Sequence, residues 1–385
     1  MTASSAETDL DRRADAEERE YRTDQALERA REERRVAGLE DGRPALPHLA
    51  VVRDGYGGAN DCMSYAALAR YNGWRVTYLR NPQLTAEDAP GVWHRPYPST
   101  EALLRHADPD SEDYYPPLRD AIWEPAEFYY GWTRQIVEAY PDRTYPLVWQ
   151  NLPVSGVTEH TQPILDRAAG FIARNHAAAE LLRAYGVPAA KIHPIPPAVD
   201  VRRFRPATAE ERGAAPYRQR GEDRVRILYA GRNTPEKGIT DLVFALHALP
   251  EEERRKVTLV LAGIEGGIQA PGLELEFLGN VPHHHMPDLY RLCDVFCYPS
   301  YPTAYWLEQW GIAVVEAMAS GMPVVTTNVG AFWEILPPEQ HGWLVPARDW
   351  VMLRARLRDL VMGPSLRYAL GAQNRLRAVR EFGGV

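Results

Sequence analysis

Two runs of alternating strand-type and helix-type segments, separated by a Pro- and Arg-rich stretch, constrain this chain more than any single motif. In the first run "HLAVVRD" reads as a short apolar strand, "GYGGAND" as a glycine-rich turn, "CMSYAALARYNGW" as a helix and "RVTYL" as a second strand. Strand, loop, helix, strand is the unit from which parallel sheets are built. "NPQLTAEDAPGVWHRPYPS" then reads as irregular, and residues 118–140 as one aromatic-rich helix. "YPLVWQN", "AAGFIAR" and "KIHPIPP" read as strands, with "HAAAELLRAYG" as a helix between the last two. Residues 196–223 have no clear period and are expected to be a linker. The second run alternates "RVRILYAGR", "GITDLVFALHAL", "VTLVLAG", "LEFLG", "MPDLYRLC", "DVFCYPS", "GIAVVEAMASG" and "PVVTTN". "HGWLVP", "DWVMLRARLRDLVM" and a basic helix follow.

The expected class is α/β with two Rossmann-like domains. In such sheets ligands sit at the carboxyl ends of the strands, and with two domains the cleft between them is the natural site. The boundaries read from the sequence are 1–47 for a charged extension, 48–205 for the first domain and 206–385 for the second. The extension, dense in acids and arginines, reads as a solvated helix or a disordered tail. Self-association through it is left open.

Composition narrows the partners. A formal net charge of -8 with no basic block speaks against nucleic acid. The 3 cysteines (Cys62, Cys293, Cys297) form no metal-type cluster and suit a cytoplasmic protein. No apolar run approaches the ~20 residues of a membrane span, and no signal peptide opens the chain. Three lysines, Lys191, Lys237 and Lys256, stand among 44 basic residues, so each is worth inspecting.

Three segments end strands and open helices. In "YAGRNTPEKGITDL" Arg232 and Lys237 precede a helix that begins near Gly238. Two cations at a helix N-terminus suit an anion, a diphosphate above all. A solvated loop is the plain alternative, and the scarcity of lysine tells against it. In "PSYPTAYWLEQWGIAVVEAM" a helix opens at Gly311, where the amides of Gly311 and Ile312 are free to bind a phosphate or hydroxyl. Glu308 precedes that helix and Glu316 lies inside it, about two turns on. Carboxylates accept paired hydrogen bonds from vicinal hydroxyls, so one acid suits a sugar and the other a ribose. In "GYGGAND" Gly57 and Gly58 allow close approach of the backbone, without fitting the G-x-G-x-x-G dinucleotide pattern.

Together these residues resemble the retaining nucleotide-sugar glycosyltransferases of the GT-B fold, in the large family that includes sucrose, glycogen and mannosyl transferases. "EQWGIAVVEAMA" is similar to that family's E-x7-E signature through Glu308, Gly311, Glu316 and Ala317. "AGRNTPEKG" and "LGNVPHHHMPDLYRLCDVFCYPS" resemble two further motifs, in the same order. The resemblance covers residues 49–346, more strongly in the second half.

It implies a GT-B fold, two Rossmann-like domains facing across a cleft, and transfer of a hexose-type sugar from a nucleoside-diphosphate sugar with retention. Arg232 and Lys237 would bind the diphosphate and stabilise it as it leaves. Glu308 would contact the donor sugar, assisted by amides near Gly311 and Ile312, and Glu316 would hold the ribose. Gly57 and Gly58 would place the first domain's loop against the diphosphate or sugar. The two cations would do the work of a Mg²⁺, so neither cofactor nor metal is expected. A small molecule, glycan or lipid would be the acceptor.

The sequence also departs from the family. Where relatives often carry a histidine near the donor sugar, Gln150 and Asn151 stand, and Asn151 can serve a sugar hydroxyl. His160, in "TEHTQP", is a second candidate for sugar or acceptor contact, with a helix-surface residue as the plainer reading. The run His283–His285 reads as a loop near the base site, since consecutive residues cannot all face one ion without strain. An epimerase or phosphorylase of the same fold is the first alternative function. A non-catalytic sugar-nucleotide-binding scaffold is the second.

Overall fold

The computed structural model describes residues 47–53, 74–80, 92–96, 104, 121–125, 131–148, 157–213, 224–304 and 306–383. The chain divides into two units, one ending at Pro197 and one running from Ala198 to Gly383.

In the first unit, β1 (His48–Arg53), β2 (Arg75–Arg80), β3 (Val92–Pro96) and β4 (Ile122–Pro125) form a sheet of order β3-β2-β1-β4. All pairings are parallel, with Leu49 opposite Val76 on one side and Ile122 on the other. Two expectations are corrected here. The segment read as irregular contains β3, which among the described residues pairs only with β2 as an edge strand, where a terminal proline is tolerated. The single helix read over 118–140 is instead β4 followed by α1 (Gly131–Ala139). Trp123 is wholly buried in β4 and stacks on Tyr140 with centroids 5.2 Å apart. The aromatics that suggested one helix therefore join a strand to a helix. Ala50, Val52, Leu79, Ala121, Trp123 and Ile136 form the core between them.

β5 (Leu147–Val148), β6 (Phe171–Ala173) and β7 (Ile192–Pro194) form a second parallel sheet in the same unit. α2 (Gln162–Arg167) and α3 (His176–Ala184) pack on it, Asn175 capping α3 by accepting from the Ala178 amide at 2.8 Å.

The second unit follows the alternation closely. After α4 (Ala209–Gly213) come β8 (Val225–Ala230), α5 (Ile239–His247), α6 (Glu251–Arg254), β9 (Val257–Ala262) and β10 (Glu274–Gly279). α7 (Met286–Arg291), β11 (Val295–Tyr298), α8 (Ile312–Ala319), β12 (Val324–Thr326), α9 (Phe332–Ile335), α10 (Trp350–Met362) and α11 (Pro364–Arg377) complete it. The parallel sheet has the order β10-β9-β8-β11-β12. Every residue of β9 and β11 is buried, as expected of strands covered by helices on both faces. The order reverses between β8 and β11, and that switch point is where a doubly wound sheet opens a crevice at its strand ends.

The division at Pro197 lies ahead of the 205/206 boundary read from composition. Residues 199–204 are held by the second unit. The Val199 amide donates to Phe382 O at 2.9 Å. Arg375 Nη1 donates to the carbonyls of Val201, Phe204 and Ala319 at 3.0, 2.8 and 2.7 Å. Among the described residues no helix is long and apolar enough to cross a membrane.

Candidate active site

The loops after β8 and β11 meet at the switch point. After β8 the chain runs through Arg232 to a 3-10 turn, Pro235–Lys237, then Gly238, then α5. Gly238 has φ 72°, and a Cβ there would lie 2.0 Å from Pro299 O. Only glycine allows the start of α5 to touch the end of β11 so closely. The Tyr301 amide donates to Glu236 O at 2.9 Å and joins the two loops directly. From the other side, Thr326 and Thr327 hydroxyls donate to Tyr298 O and Ser300 O at 2.7 and 2.5 Å.

These contacts bring Lys237 and Glu308 together. Lys237 Nζ donates to Glu308 Oε2 at 2.7 Å, and both side chains are about nine-tenths buried. The ammonium also lies 4.3 Å from the Trp306 ring centroid and 5.1 Å from that of Tyr298. Glu308 is fixed at its backbone as well. Gly330 has φ 54°, and a Cβ there would fall 1.9 Å from Glu308 O. Burial, reinforced by the Glu308 charge, holds the Tyr298 and Tyr229 hydroxyls far above the usual phenol range, so both stay protonated donors. Arg232 is the contrasting cation: it is exposed, and among the described residues it makes no ion pair.

α8 opens at Gly311, which has φ 69° and where a Cβ would lie 2.6 Å from Phe332 Cε1. The first amides of a helix have no acceptor within it, so Ile312 N–H is a donor for a phosphate or hydroxyl. Glu316 lies inside α8, 5% exposed. Its Oε1 is 2.6 Å from His283 Nε2, and its Oε2 accepts from the Tyr290 hydroxyl at 2.9 Å. The two acids of the E-x7-E motif therefore belong to separate networks.

Arg232, Lys237, Glu308, Gly311, Ile312 and Glu316 all stand in the second unit, on the two loops and the helix they open. His160 lies in the first unit, half-buried in the turn ahead of α2, and its Nε2 has no hydrogen-bond partner among the described residues. Gly57, Gly58 and Asn151 lie outside the described residues.

Trp306 and Tyr290 escaped the sequence reading as site residues, and His283 entered it only within a loop near the base site. No local signal marks His283: its partner Glu316 is 33 residues away. The histidine run is a 3-10 helix that buries His283 and leaves His284 exposed.

Residues 216–377 match the family described as Glycosyl transferases group 1. A D-inositol 3-phosphate glycosyltransferase of Xylanimonas cellulosilytica is 34% identical over 227 residues, 54% of this chain and 51% of that protein. A GDP-mannose-dependent alpha-(1-6)-phosphatidylinositol monomannoside mannosyltransferase of Mycobacterium tuberculosis is 30% identical over 204 residues, 49% of this chain and 51% of that protein. The chain thus spans about half the length of the curated relatives it matches. Among solved structures, sucrose-phosphate synthase from Thermosynechococcus elongatus superposes with a TM-score of 0.65 at 21% identity, covering 88% of this chain and 95% of that one. The fold is that of the GT-B glycosyltransferases, and the family match lies within the second unit.

Proposed function

We propose that this chain is a retaining glycosyltransferase that moves a hexose-type sugar from a nucleoside-diphosphate sugar to an acceptor hydroxyl without a metal ion. The observation that carries the reading is the Lys237–Glu308 pair at the switch point, with Arg232 exposed on the same loop as Lys237. A cation and an acid held side by side suit a donor whose diphosphate is anionic and whose sugar is a polyol.

In this reading the bond from the sugar's anomeric carbon to the diphosphate oxygen breaks as the bond to the acceptor oxygen forms on the same face. The acceptor's proton passes to the departing phosphate. Lys237 and Arg232 stabilise the charge that grows on the diphosphate, which is the largest demand of the step. Glu308 accepts from sugar hydroxyls, the Ile312 amide assists, and Glu316 accepts from the ribose. The relatives' acceptors, an inositol phosphate and a phosphatidylinositol mannoside, favour a cyclic polyol or its lipid-linked form as the class to try first. A cytoplasmic setting suits the cysteines. Burial pushes the Cys293 thiol up to about 12 and the Cys297 thiol higher, which leaves both inert.

The test is a panel of UDP-, GDP-, ADP- and dTDP-sugars. Thermal shift finds the donor, because a ligand that binds only the folded state raises the melting point. Incubation with inositol phosphates then measures transfer. A donor that binds but never transfers or hydrolyses favours a scaffold. Sugar phosphate formed from free phosphate favours a phosphorylase.

A further inference from the structure

Glu316 is a carboxylate inside a helix whose residues 314–319 are all buried. A buried carboxylate needs donors, and among the described residues it has two, from sequence-distant elements. Tyr290 offers one proton, shared between Glu316 Oε2 at 2.9 Å and Ala313 O at 3.1 Å. Burial and the Glu316 charge keep that hydroxyl protonated. His283 Nε2, 2.6 Å from Oε1, supplies the second. Nε2 faces a carboxylate oxygen at hydrogen-bond distance, and the tautomer that satisfies the contact carries its hydrogen there.

The imidazole is itself held. It sits in the 3-10 turn His283–His285 after Pro282, and the Phe204 ring lies against it with centroids 5.5 Å apart. Phe204 also meets the Tyr290 ring, edge-on at 5.8 Å. Each carboxylate oxygen has two acceptor directions. Among the described residues one on each is taken, which leaves one on each in a fixed plane, the arrangement a vicinal diol fills.

We infer that His283 is a positioning residue that aims Glu316 at the two ribose hydroxyls, so that this histidine sets the preference for ribonucleotide over deoxyribonucleotide donors. The inference rests on the proposed donor reading and adds to it a residue and a specificity.

Three variants separate orientation from packing. His283→Phe keeps a ring against Phe204 and removes the donor. His283→Gln returns an N–H near the Nε2 position. His283→Asn carries an amide too short to reach Glu316, and replaces the Phe variant if that one fails to fold. Calorimetry measures UDP, GDP and ADP against their 2′-deoxy counterparts for each folded protein. The wild type should favour its ribonucleotide by on the order of 10-fold. In His283→Phe, or in His283→Asn, that ratio should fall to about twofold or less, and His283→Gln should restore most of it. If affinity drops equally for both sugars and the ratio stays at the wild-type value, His283 is only structural and the inference fails. If the wild type binds none of the three nucleotides, the donor reading itself fails and takes the inference with it.

Discussion

Lys237 and Glu308 form a 2.7 Å ion pair with neither side chain more than about a tenth exposed, in loops joined by one backbone hydrogen bond from Tyr301 to Glu236. Removing one member of a buried pair leaves an uncompensated charge, which typically costs about 3–5 kcal/mol. Lys237→Ala should therefore lower both stability and turnover, turnover by on the order of 10²-fold or more. The double variant Lys237→Met with Glu308→Gln should recover most of the melting temperature and none of the turnover. Recovery of both together would make the pair purely structural.

The two acids should separate in binding experiments. Glu316→Gln should weaken the bare nucleoside diphosphate and the full donor alike, since a contact equal in ground and transition states appears chiefly in KM. Glu308→Gln should leave diphosphate affinity within about threefold and lower kcat, because a sugar contact that strengthens as charge develops acts on the transition state. Equal losses of diphosphate binding in both variants would remove Glu308 from sugar recognition.

Transfer should persist in excess EDTA. In the proposed mechanism Arg232 and Lys237 supply the preorganised positive charge that a divalent ion supplies in other transferases. Activity lost to EDTA and restored by Mg²⁺ or Mn²⁺ would contradict that assignment.

Away from the site, Glu211 gives a pH-dependent test of stability. It accepts two hydrogen bonds from Arg205, at 2.8 and 2.7 Å, and one from the Thr208 amide at 2.6 Å, while the Thr208 hydroxyl accepts from the Glu211 amide at 3.1 Å. This is a capping box at the start of α4. The Arg205 bond, then the Thr208 amide, hold the carboxyl down from 4.5 to about 2. A folded value below the unfolded one stabilises above the ordinary carboxylate range, and the benefit drains away as pH falls through the folded value. Glu211→Gln should cost about 1 kcal/mol near neutrality, and its melting point should converge on the wild type between pH 4.5 and about 2. A difference independent of pH would place the effect in packing.

The second unit was legible because its physics is local. β8 and β9 are short apolar runs buried on both faces, and the change to helical period in α5 and α8 marks each crossover. Lys237 stood out by rarity. β3 and β4 were not legible: a proline-bearing edge strand looks like a loop, and the fully buried Trp123 gives the same apolar signal in a strand as in a helix. The His283–Glu316 bond was beyond reach for another reason. It depends on a turn that buries His283 and leaves the next histidine exposed, and nothing in sequence spacing encodes that.

The hydrogen bond from the Val199 amide to Phe382 O ties together the two extremities of one unit. Phe382 in turn sets its ring edge-on to Trp310, with centroids 5.6 Å apart, two residues from Glu308. The backbone path is thus nearly a closed circle, and the clasp that closes it supports the loop that carries Glu308. A circularly permuted form, with residue 383 joined to residue 198 and the strand order otherwise kept, should have somewhere natural to put the junction. Opening the circle at the clasp would instead loosen the loop that carries Glu308.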